Sequence, residues 1–95
     1  SEMFYVTRPK VLVFLRDPDQ AINASTDILR TLFGFTRTEA EIVINITSGL
    51  SVKESAAKQG HSVATARSTL KIIFSKTEVR SQSQLAALVL KTLPF

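Results

Sequence analysis

Arg67, Ser68 and Lys71 have the residue types and spacing for specific recognition in this 95-residue sequence. Residues three and four apart on a helix share a face. Arginine's planar fork matches the O6 and N7 acceptors of guanine, and lysine can meet those atoms or a phosphate. A solvated helix face would use the same side chains, so the surrounding pattern has to decide between the two readings. Bond-breaking chemistry has little to draw on. His61 is the only histidine and cysteine is absent. No serine therefore has a histidine–acid partner set, and no zinc ligand set can be assembled. His61 reads as a polar turn residue. Glu39 and Glu54 stand at the spacing of helix-capping carboxylates, and three scattered glycines make no phosphate-binding loop. The expectation is a binding protein rather than an enzyme, with no cofactor and no metal.

Charge narrows the class of partner. Residues 1–36 hold four basic and four acidic side chains, which cancel, whereas residues 37–95 hold eight basic against four acidic. The net charge of +4 therefore sits in the C-terminal part, densest from Arg67 to Arg80. A localised positive field favours a polyanionic partner. Hydrophobic residues make up 44% and charged residues 21% of the chain, the balance of an ordinary globule. No run approaches the ~18 apolar residues of a membrane span. A cysteine-free chain suits a reducing compartment, so a cytoplasmic location is expected.

The elements that would position these residues are punctuated by capping signals. Thr36-Arg37-Thr38-Glu39 and Ser51-Val52-Lys53-Glu54 have the capping-box spacing, and Ser81-Gln82-Ser83-Gln84 repeats it with glutamine. Ser62 supplies a further start. These signals predict helices over 37–48, 52–59, 63–76 and 82–93. "STDILRTLFG" before them reads as a short helix capped by Ser25 or Thr26 and closed by Gly34. Further upstream, "KVLVFLR" has the length and flanks of a strand buried on both faces, with "FYVT" as a partner and "DPDQAINAS" as a polar connector. A lone hairpin is marginal in water, so residues 1–24 are read as a strand-and-linker arm ending an upstream domain. Residues 25–95 form the helical domain. The fold class expected is mainly α, a four-helix bundle preceded by this arm.

Between the second and third of the four helices the turn is three residues long and contains Gly60. Two helices so joined cross steeply, and the second presents its N-terminal half outward, the arrangement of a helix-turn-helix motif. Ala56, one turn before Gly60, is small enough to let the following helix approach.

These features resemble the C-terminal DNA-binding domain of LuxR/GerE-type bacterial transcription regulators. The resemblance runs from about Phe35 to Leu90. It rests on "FTRTEAEIV", Gly49, "SVKESA", "GHSVATAR" and "IIFSKTEVRSQSQL", with "VLVFLRDP" and "LFGF" similar to the junction after a sensor domain. It implies a LuxR-like helix-turn-helix bundle that binds double-stranded DNA in transcriptional regulation. In that family the third helix reads the major groove, the fourth often dimerises, and an upstream domain senses a signal. Carried over by position, Arg67, Ser68 and Lys71 would face bases, while Lys53, Thr65, Lys76 and Arg80 would meet phosphates. Lys53, Lys76 and Arg80 could equally be solubilising charges.

The sequence departs from the family pattern at Ser55, Gln59 and His61, where bulky aliphatics are usual, and at Ala66, where valine is usual. It also has Thr69, Glu78 and Gln82 where histidine, glycine and arginine are common. The four diluted core positions predict looser packing of the second helix on the third. The last helix, "SQLAALVLKTL", is apolar nearly all round, which predicts a homodimer interface at Leu85, Leu88 and Val89. The alternative from another class is a helix-turn-helix-derived protein-interaction module that no longer reads DNA.

Overall fold

The computed structural model describes residues 18–93. Five helices follow one another: α1 (Pro18–Phe33), α2 (Arg37–Thr47), α3 (Val52–Gln59), α4 (Val63–Thr77) and α5 (Gln82–Thr92). The strand expected at 10–16 and its partner lie outside the described residues, and no strand occurs within them. The predicted bundle of four helices becomes a packed unit of five, because α1 lies against α2.

The largest correction is at α1. The polar connector expected over 17–25 is helical from Pro18, and Ser25 and Thr26 are not its caps but sit on its inward face, 8% and 2% exposed. Proline at the first helical position costs nothing, since its missing N–H would be unpaired there, and its fixed φ already suits a helix. Hydroxyl residues signal a helix start only when they precede it.

The helix ends elsewhere follow local hydrogen bonds. Thr36 Oγ1 accepts from Glu39 N (3.1 Å) while Thr36 N donates to Glu39 Oε1 (2.9 Å). Ser51 and Glu54 form the same reciprocal pair at 3.0 and 2.8 Å. Ser62 Oγ accepts from Thr65 N at 3.1 Å. The third predicted box is only half made. Ser81 Oγ accepts from Gln84 N, but the Gln84 carboxamide reaches one residue further back, to Arg80 N (2.8 Å).

At the far end of α3, Gly60 has φ +74° and ψ +27°. His61 N donates to Ala56 O (2.9 Å) and Gly60 N to Ala57 O (3.2 Å). This pair of bonds is the Schellman closure, which uses a left-handed residue to satisfy the last carbonyls of a helix.

α2 is the centre of the fold, packed against each of the other four helices, while α3 also packs on α4. Ala40, Ile42, Val43 and Ile46 are its buried apolar positions. They meet Leu29 from α1, Phe35 from the α1–α2 connection, Leu70 and Ile73 from α4, and Leu85 and Val89 from α5, with Leu93 just beyond it. Each buried valine, leucine, isoleucine or phenylalanine among them contributes roughly 1.5–3 kcal/mol by leaving water. Phe33 and Phe35 stack across Gly34 with ring centroids 5.3 Å apart.

α4 ends on Glu78, at φ +60° and ψ +26°, the only residue other than glycine with positive φ among those described. A Cβ in this region is strained by roughly 1–2 kcal/mol. Glu78→Gly should therefore raise stability by about 1 kcal/mol, and Gly60→Ala should lower it by a similar amount. A Cβ built at Gly60 meets no atom within 4 Å, so backbone strain alone is at stake there. Urea denaturation of the two variants checks both signs.

Candidate nucleic-acid interface

Alternation of small and large residues sets how α4 is held. Ala66, Leu70 and Ile73 face inward. Ser55 and Ala56 of α3 and Ala66 of α4 are at most 1% exposed, so small side chains close this interface without a gap open to solvent. Ser55, one of the four positions expected to dilute the core, has a polar partner on α2. Asn45 Nδ2 of α2 donates to Ser55 Oγ at 3.0 Å inside the core. Gln59 is half-buried, and its Nε2 donates to Thr38 O (3.3 Å) and Glu41 Oε1 (3.2 Å), while its own Oε1 is buried with no partner among the described residues. His61 lies exposed in the turn.

With that face committed inward, Arg67, Ser68 and Lys71 are all exposed. Among the described residues, neither Arg67 nor Lys71 enters an ion pair, and neither side chain is hydrogen-bonded. Ala64 precedes this stripe and Ser75 extends it by one further turn, both exposed. Thr65 is exposed as well, but its Oγ1 accepts from Ser62 Oγ (2.9 Å), tying it to the helix cap. Lys53 is exposed in the first turn of α3. A cation there works against the helix macrodipole, whose positive end favours anions. Arg80 is exposed in the α4–α5 connection.

Two of the expected sites include residues that have partners within the chain. Lys76 is not a free cation. Its Nζ is 2.7 Å from Glu39 Oε1 and donates to Gly34 O at 3.0 Å, so it joins the end of α4 to the start of α2 and the end of α1. The expected dimer residues Leu85 and Val89 are 0% and 1% exposed, packed into the chain's own core. An apolar helix shows which residues are hydrophobic, but its neighbours choose the buried stripe. Leu88 is half-buried, and Leu90, outside the expected interface set, is 64% exposed.

A cleft of about 420 Å³ opens between α2 and the end of α3, lined by residues including Thr38, Glu41, Asn45, Lys58, Gln59 and His61. No group of three or more histidine, aspartate or glutamate side chains able to hold a metal ion occurs among the described residues.

Glu39 carries the one ion pair found among the described residues. Burial pushes its carboxyl up, but the hydrogen bond from Lys76, the Thr36 N–H, the Lys76 charge and the Thr36 hydroxyl outweigh it, and the net shift is downward from 4.5. The folded chain thus binds this proton less tightly than the unfolded chain does. Its stabilisation is complete above the ordinary carboxylate value and is lost as pH falls through the lowered one. Urea midpoints measured from pH 6 to pH 3 should fall, and Glu39→Gln should flatten part of that slope while lowering stability near neutrality.

No family model, no curated protein and no solved structure matches the chain.

Proposed function

We propose that this chain is a LuxR/GerE-type helix-turn-helix domain that binds double-stranded DNA in transcriptional control, with α4 entering the major groove. The observation carrying this reading is the uncovered stripe of α4. Arg67 and Lys71 project from a helix whose opposite face is fully committed to the core, and no described side chain neutralises them. The left-handed turn at Gly60 supports it, since a three-residue connection with a glycine is the kind that joins the two helices of a helix-turn-helix, which generally cross steeply. Lys53 beside the N-terminal amides of α3 suits a phosphate, which both the charge and the helix dipole attract. Arg80 and Thr65 are further exposed candidates for phosphate contact.

Reading a two-half site calls for two copies. With Leu85 and Val89 buried, pairing would fall to the outer side of α5, where Leu90 is exposed and Leu88 half-buried. Sedimentation velocity across a concentration series should show a dimer that Leu90→Glu abolishes; monomer at every concentration would remove this part of the proposal. A second reading, a scaffold turned to protein assembly, is favoured by the exposed Leu32, Ile72 and Leu90.

A mobility-shift titration separates the two. On arbitrary duplex the domain should bind with Kd ~10⁻⁴–10⁻⁶ M at physiological salt and weaken steeply as salt rises. Arg67→Ala should cost roughly 1–3 kcal/mol on a preferred site and relax preference there, whereas Lys53→Ala should weaken all sequences about equally. Both residues are exposed, so circular dichroism should show the variants folded. Salt-independent binding, or no change in an Arg67/Lys71 double alanine variant, would defeat the DNA reading and leave the assembly reading.

A further inference from the structure

The chemistry of α4 also limits which bases it can distinguish. Its sequence, VATARSTLKIIFSKT, contains no asparagine, glutamine, aspartate or glutamate at any of its 15 positions. Carboxamides are the side chains that grip adenine N6 and N7 together, and carboxylates are the ones that accept from cytosine N4. Neither tool is present on the helix. Beyond Lys76, which is paired with Glu39, its exposed surface carries two cationic donors, Arg67 and Lys71, and hydroxyls that can donate or accept and so discriminate poorly. It also carries exposed apolar groups that the core does not explain, Ala64 at the start of the stripe and Ile72, which is 48% exposed and lies one turn beyond Ser68 on the flank of the stripe.

Resting on the DNA reading above, we infer that α4 reads guanine and thymine only. Arg67 and Lys71 donate to guanine O6 and N7, and Ala64 and Ile72 meet the C5 methyl groups of thymines beside those guanines. Four residues of helix advance about 6 Å, against about 3.4 Å per base step. The two guanines therefore lie about one to two base pairs apart. Ile72 thereby acquires a role in specificity, and its exposure on a helix otherwise well sorted between core and solvent has a cause.

Selection of duplexes from a random pool with the full 95-residue chain, at about 50 mM salt, gives the sequence to test. Fluorescence anisotropy then compares that duplex with three atom-level analogues. Replacing the enriched guanines by 7-deazaguanine removes the N7 acceptor while keeping base pairing, and should weaken binding tenfold or more. Replacing thymine by uracil removes the methyl and should weaken it a few-fold, an effect that Ile72→Ala should abolish at one position without altering the salt dependence. Replacing adenine by 7-deazaadenine should change nothing. If 7-deazaadenine weakens binding and 7-deazaguanine does not, the guanine–thymine assignment is overturned while DNA binding by α4 stands. Insensitivity to all three analogues overturns the assignment too. A chain that retains no duplex at this salt concentration overturns both.

Discussion

One carboxylate oxygen fastens three parts of this chain. Glu39 Oε1 accepts from Thr36 N and from Lys76 Nζ, and the same ammonium donates to the carbonyl of Gly34. The start of α2, the end of α4 and the close of α1 are thereby tied at a point where Glu39 is only 6% exposed. A carboxylate that far out of water persists because its hydrogen bonds are charge-assisted and one partner is a full opposite charge. α2 contacts all the other helices, so the orientation of this junction propagates through the domain.

Where the chain bends was legible because bends are local. A hydroxyl three residues before a carboxylate, or a glycine after an apolar stripe, makes its hydrogen bonds within one turn of the helix. The starts of α2 to α5 fall at Arg37, Val52, Val63 and Gln82, as the caps predict. What escaped is what depends on distant partners. Nothing near Lys76 in the sequence announces Glu39, 37 residues away. Nothing in "SQLAALVLKTL" says that Leu85 and Val89, rather than Leu90, turn to the core. The extent of α1 was missed for a different reason. Ser25 and Thr26 have the composition of a cap, but the helix begins a full two turns earlier at Pro18.

The candidate reading stripe was the most legible part of the site. Exposure of Arg67, Ser68 and Lys71 follows from periodicity once Ala66, Leu70 and Ile73 are recognised as the buried face. The polar core was the least legible. Asn45 is 7% exposed and was assigned no role by sequence, yet its bond to Ser55 lets a serine stand in a fully enclosed position. A directional bond of this kind fixes how α3 is rotated against α2, whereas aliphatic contacts alone tolerate sliding.

α4 is held at both extremities: by the turn around Gly60 and the Ser62 cap at its beginning, and by the Lys76 ammonium in its last turn. A helix pinned twice has little conformational freedom left to surrender. A partner docking along it would meet a surface whose shape is already set, so the ordering penalty of association would fall mainly on a few long side chains rather than on backbone. Recognition of the kind proposed above would then be lock-like, its strength set by fit rather than by folding upon contact.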